Sequence, residues 1–216
     1  MNSADRGLSA LLYGVLGCLL CASVHGAAVE LSESAQLHAL LTPMRSFSAR
    51  FEQRARDDQG LEMQQTNGVF EFAKPKSMRW VTQEPMTQEV ITDGRQIWIY
   101  DAELEQVIVD DFDAQMSVTP ALIFSGSLET IDATYAVRLL TSGESNKRFL
   151  LTPLDTAGLI TSIEVIFSEG LLSAVSITSA EQINEFTFSR IKLNQSISAA
   201  TFTFKIPADI EVIDNR

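Results

Sequence analysis

KPKSMRWVTQEPMTQEVITDGRQIWIYDAELEQVIV, residues 74–109, decides the fold. Asp93-Gly94 separates the alternating runs Gln88–Ile91 and Gln96–Tyr100, and Asp-Gly between such runs is the strongest short-range hairpin signal because glycine takes positive φ without steric cost. After Tyr100 the chain turns through Asp101-Ala102-Glu103-Leu104 and resumes at Gln106-Val107-Ile108-Val109, which predicts a second hairpin onto the same middle strand. Trp98 and Tyr100 share one face of that strand, by its period of two. Met78 and Trp80 share a face opposite Arg79 and Val81, and Pro85 closes their strand.

The pattern extends on both sides of this meander. Phe47, Ala49, Phe51 and Gln53 alternate with Ser46, Ser48, Arg50 and Glu52, the period of a half-buried strand. Leu61–Phe72 continues as strand, with Gly68 expected at a bulge or a close approach of backbones. Downstream, Tyr135–Leu139, Phe149–Pro153, Ile163–Phe167, Leu172–Thr178 and Ile183–Leu193 repeat the strand pattern, with a turn at Glu169-Gly170. Asn194–Ala200 is expected to form one or two helical turns, and Phe202-Thr203-Phe204 a last strand. Two short helices interrupt this. One is expected over Glu30–Leu41, with Leu31, Leu37, Leu40 and Leu41 apolar and Pro43 as its stop. The other begins at Thr119-Pro120, a capping residue followed by proline at the first helical position. It is too short to hold its own hydrogen bonds, so its apolar side must dock on the sheet.

The amino terminus reads as a secretory signal. Leu8–Leu20 is almost uninterruptedly apolar and runs into small residues from Ala22 to Ala28. Cleavage is expected after Ala28, with Gly26 as the alternative, leaving residues 29–216 as a single domain. A membrane anchor would need about 20 apolar residues, and lipidation at Cys18 would require the apolar run to end there. Both cysteines, Cys18 and Cys21, lie within this segment, so the expected mature chain has neither disulfide nor thiolate chemistry. Its formal charge of −12 argues against nucleic acid and against standing attachment to anionic lipid.

Reactive constellations are absent from the sequence: His38 is the one histidine after processing, and no G-x-S-x-G, H-E-x-x-H or phosphate loop occurs. Asp110, Asp111 and Asp113 lack the spacing of a calcium loop. No enzyme, metal or cofactor is expected. The 12 phenylalanines and 2 tryptophans, many at alternating strand positions, point instead to an apolar wall. A curved sheet closed by short helices encloses either an ordinary core or a cavity for an apolar ligand.

In this order, Phe47-x-Ala49-x-Phe51-x-Gln53, Gly68-x-Phe70, Lys74-Pro75 leading to Arg79-Trp80, Pro85 with Gln88, Asp93-Gly94, Trp98-x-Tyr100-Asp101, Leu104-x-Gln106-Val107, Thr119-Pro120 and Phe202-x-Phe204 resemble the periplasmic outer-membrane lipoprotein carrier family, LolA. The resemblance covers essentially the whole expected mature chain. It implies a mainly β fold, an incomplete and strongly curved antiparallel barrel with a lid of short α-helices over a hydrophobic cavity for the acyl chains of lipoproteins. It also implies a periplasmic, non-enzymatic carrier without a cofactor. Its partners would be an inner-membrane ABC lipoprotein-release complex and an outer-membrane lipoprotein receptor, and a monomer is expected. A lipid-binding module of the same fold with another amphiphile or a regulatory role is the alternative.

On this reading the first helix and the Pro120 helix form the lid, with Leu37, Leu41, Leu122 and Phe124 turned to the lumen. Phe47, Phe51, Phe70, Phe72, Trp80 and Trp98 are the candidates for its wall. The family typically carries arginine immediately before the proline matched by Pro75, where it latches the lid. This chain has Lys74, whose point charge makes fewer simultaneous hydrogen bonds than a guanidinium. Arg79 emerges on the face opposite Trp80 and is not assumed to substitute.

Overall fold

The Asp93-Gly94 turn is built as its residue types require: Gly94 has a φ of 91°, and the Asp93 carboxylate accepts the backbone N–H groups of Arg95 and Gln96 at 2.8 and 3.1 Å. It joins β4 (Gln88–Thr92) to β5 (Gln96–Asp101). Asp101 organises the next turn in the same way, accepting from Glu103 and Leu104, and the chain returns as β6 (Gln106–Asp111). The computed structural model describes residues 31–112, 123, 128–143 and 145–216, with residues 31–216 falling in one compact unit. The expected signal at 1–28, the helix at Thr119–Phe124 with Leu122 and Phe124, and Asp113 lie outside the described residues.

The remaining strands are β1 (Ser46–Asp57), β2 (Glu62–Ala73), β3 (Ser77–Glu84), β7 (Tyr135–Ser142), β8 (Asn146–Pro153), β9 (Ile160–Ser168), β10 (Leu171–Ser179), β11 (Gln182–Leu193) and β12 (Glu211–Asp214). All lie in one open sheet ordered β12-β6-β5-β4-β3-β2-β1-β11-β10-β9-β8-β7. Neighbours in sequence pair antiparallel within β1–β6 and within β7–β11, and the long pairing of β1 with β11 joins the two meanders. The result is the mainly β, curved, antiparallel-dominated incomplete barrel that the resemblance implied.

Three expectations are corrected. The first helix, α1, spans Glu33–Leu41 rather than starting at Glu30, because the Ser32 hydroxyl accepts the Ala35 N–H and sets the N-cap; Leu31 is left 56% exposed. Phe202–Phe204 is not a strand: Ala199–Phe202 forms a 3-10 turn capped by the Ser198 hydroxyl, and residues 194–198 before it form no helix. The last strand is β12, and it runs parallel to β6.

Register decides which side chains meet. Phe47, Phe72, Met78, Thr92 and Ile97 form one cross-strand row, and Ala49, Phe70, Trp80, Val90 and Ile99 the next. These rows lie on the inner face, where the main core gathers. The alternate row, Ser48, Glu71, Arg79, Ile91, Trp98 and Val109, points to the other side. There the Phe204 ring packs on Tyr100 with centroids 5.4 Å apart, so the carboxy-terminal segment runs across the outer face. Val107 and Val109 are buried on that side.

A second helix, α2 (Leu128–Thr134), leads into β7. The Ser34 hydroxyl donates to the Asp132 carboxylate, tying α1 to α2. Ile123 and Ile131 are buried in the same cluster as Leu37 and Leu41.

Candidate ligand-binding site

An aromatic wall occupies the inner face of β1, β2, β3 and β11. Phe51 stacks on Trp80 with centroids 4.0 Å apart, and Trp80 also meets Phe70 at 5.3 Å and, edge-on, Phe186 at 5.4 Å. Phe47 meets Phe188 edge-on at 5.4 Å and Phe70 at 6.0 Å. Offset and edge-on pairs of this kind add to the stabilisation from buried area because positive ring edges meet negative faces. Gly68 makes the stack possible. A Cβ there would fall far inside contact distance of the Val81 carbonyl oxygen and 2.8 Å from the Phe51 ring. The register of β2 and β3 shifts between Asn67 and Gly68, so the predicted bulge and close approach coincide.

α1 packs beside α2 and β7. Leu37 and Leu41 are four residues apart, hence on one face of the helix, and both are buried in the cluster that contains the wall. The helix ends at Thr42, and there the Lys74 ammonium donates to the Thr42 carbonyl oxygen at 2.9 Å and approaches that of Leu41 at 3.5 Å. Both carbonyls lie at the carboxy-terminal end of the helix, where a cation is favoured by the helix dipole; that of Leu41 also accepts the Met44 N–H at 3.2 Å. The connection from α1 to β1 is fixed from the other side by Asn194. Its side-chain oxygen accepts the Arg45 N–H at 2.6 Å and its amide donates to the Pro43 carbonyl at 2.9 Å.

Of the sequence-predicted residues, the structure brings together Leu37, Leu41, Phe47, Phe51, Phe70, Phe72 and Trp80 in one cluster, with Lys74 at its rim. Trp98 is not among them. Its cross-strand partners are Ile91 and Val109, which places it on the outer face, one position out of phase with Trp80. Arg79 is on that outer face too, paired with Glu89 at 2.6 Å and Glu71 at 3.3 Å. Sequence reasoning missed Phe186 and Phe188, which complete the wall from β11; their alternation around Thr187 was the available signal. It also missed Met44, buried where α1 meets β1.

The site is electrically quiet. The cluster residues are apolar apart from the Tyr135 phenol, whose pKa burial pushes up from its ordinary value, so it stays neutral. Among the described residues no group of His, Cys, Asp and Glu is arranged to hold a metal ion, and no helix is long and apolar enough to cross a membrane. The wall can bury apolar chains, and it carries no residue placed to attack one.

A family model described as outer membrane lipoprotein carrier protein LolA matches residues 42–205. An outer-membrane lipoprotein carrier protein from Hahella chejuensis is 34% identical over 179 residues, covering 82% of this chain and 86% of its own. Another from Pseudomonas aeruginosa is 30% identical over 199 residues, covering 92% and 93%. The fold is similar to the crystal structure of an uncharacterized conserved protein from Thermus thermophilus, with a TM-score of 0.54 over 85% of this chain and 98% of that one. At 8% identity that likeness speaks to fold alone. With the matched region spanning the connection from α1 to β1, the aromatic wall and every strand from β1 to β11, the chain belongs to the outer membrane lipoprotein carrier protein LolA family.

Proposed function

We propose that this chain carries lipoproteins by holding their acyl chains against the aromatic inner face, in the place that α1 fills when no cargo is present. The carrying observation is that Leu37 and Leu41 are buried in the same apolar cluster as the aromatic wall, while a lysine holds the end of the helix that bears them. Burial of a leucine side chain contributes about 1.5–3 kcal/mol. Displacing the two therefore costs about 3–6 kcal/mol, and acyl chain contributes about 0.8 kcal/mol per buried methylene. The lid thus offsets about four to seven methylenes of cargo. That opposition keeps a large apolar ligand from being bound too tightly to hand on.

The same reading makes residues 1–28 a cleaved secretory signal and residues 29–216 a single carrier domain that works as a monomer in the periplasm. It receives cargo from an inner-membrane ABC lipoprotein-release complex and gives it to an outer-membrane receptor. No cofactor and no bond-making step enter the cycle.

The test is release from spheroplasts loaded with lipoprotein. Added mature protein brings lipoprotein into the soluble fraction in a complex with itself. Lipoprotein that stays with the membranes, or a copurified amphiphile of another class, contradicts the proposal.

A further inference from the structure

The inner face changes character one residue pair beyond the Phe51–Trp80 stack. Along β1 the inward positions run Phe47, Ala49, Phe51 and then Gln53; the facing positions of β2 run Phe72, Phe70, Gly68 and then Thr66. Beyond Trp80 on β3 comes Thr82, whose cross-strand neighbours Gln88 and Asp101 lie on the same face. Gln53, Thr66, Thr82, Gln88 and Asp101, with Gln64 and the apolar Pro85 and Met86, line a half-open cavity of about 210 Å³. Its base is ordered: the Thr66 hydroxyl, 6% exposed, donates to Gln53 at 3.3 Å, and the Gln53 amide donates to Asn184 at 3.0 Å. Gln64 and Gln88 stand at the open side.

The chemistry of this lining is specific. Primary amides and hydroxyls supply neutral donors. None of the lining residues is cationic, and the one charge is the Asp101 carboxylate, itself engaged by the N–H groups of the following turn. Ester and amide carbonyls are uncharged acceptors and suit such a site. A phosphate would leave water for a place with no counter-ion and a carboxylate nearby, an uncompensated cost.

Resting on the carrier reading, we infer that this cavity is a headgroup subsite: it takes the ester and amide carbonyls at the acylated amino terminus of a lipoprotein, continuous with the aromatic wall that takes the chains. It selects acylated peptide against phospholipid of the same chain length. The wall cannot make that distinction, because the acyl chains are the same.

The experiment compares the purified mature protein's affinity for a synthetic lipopeptide, a dipalmitoylglyceryl-cysteinyl peptide, with its affinity for dipalmitoyl phosphatidylglycerol. Both are read by quenching of tryptophan fluorescence and checked by competition. The wild type favours the lipopeptide by tenfold or more. The double variant Gln64→Leu/Gln88→Leu, at two exposed positions that leave the ordered base intact, brings the preference below threefold. Gln88→Lys sets an ammonium beside Asp101 and raises phosphatidylglycerol affinity at least fivefold. Circular dichroism verifies folding in each case. A preference unchanged in both folded variants overturns the subsite while leaving the carrier reading in place. Binding of neither probe by the wild type overturns both.

Discussion

The Lys74 ammonium lies 2.9 Å from the Thr42 carbonyl oxygen, so the β2–β3 turn holds α1 by its carboxy-terminal end. A lysine in this place makes one good bond and one long one. A cation at an exposed helix terminus contributes about 0.3–1 kcal/mol. On the proposed carrier reading, this bond biases α1 toward its closed position by a factor of a few rather than locking it.

Lys74→Leu removes this bias. The open form gains population, and lipoprotein handed to outer-membrane receptor leaves about three- to fivefold more slowly. Lys74→Arg keeps or strengthens closure, since its planar fork reaches both carbonyls. Transfer by Lys74→Leu at the wild-type rate in a reconstituted assay would show that the bond is incidental.

Leu37→Ala separates lid from core. Leu37 is fully buried, and trimming such a leucine ordinarily costs about 2–5 kcal/mol. In a lid the loss falls on the closed state, so lipopeptide binds at least tenfold more tightly while the sheet unfolds near its wild-type urea midpoint. A lowered midpoint with unchanged affinity would make Leu37 an ordinary core residue.

Gly68→Ala strikes the wall itself. The new methyl group collides with the Val81 backbone oxygen, which cannot rotate away, and with the Phe51 ring, which can. Overpacking of this kind costs about 1–3 kcal/mol. The urea midpoint falls, and Trp80 emission shifts to the red as the Phe51–Trp80 stack opens. An unchanged midpoint would refute the close approach.

Arg79→Ala is the control on the outer face. It leaves Glu71 and Glu89 without their shared cation, and because the Arg79 side chain is 32% exposed the loss is about 1 kcal/mol or less. Transfer kinetics do not change. Slowed transfer in this variant would mean that Arg79 shares the latch after all.

The parts of the site written within single strands were legible in the sequence; the parts set between strands were not. Alternation placed Phe47 with Phe51 and Phe70 with Phe72, and Gly68 declared itself by its position in a strand. Trp98 was assigned to the wall because the relative phase of two strands depends on the connection between them. Four residues, Asp93–Gln96, separate the paired Thr92 and Ile97, which sets Val90 opposite Ile99 and so turns Trp98 outward; one residue fewer would set Val90 opposite Trp98. Phe186 and Phe188 belong to the wall through the pairing of β1 with β11, more than a hundred residues apart, and no local signal encodes that partnership. The parallel strand β12 escaped for the same reason: it joins β6 after crossing the outer face, with no turn to announce it.

Competition between α1 and acyl chain for one apolar face is the central claim, and hydrogen exchange of the backbone amides reads it directly. When the mature protein is loaded with a dipalmitoylglyceryl-cysteinyl peptide, the amides of Glu33–Leu41 lose protection at least tenfold, while those of β1, β2 and β11 keep or gain theirs. Protection of α1 that is unchanged or increased on loading would contradict the account.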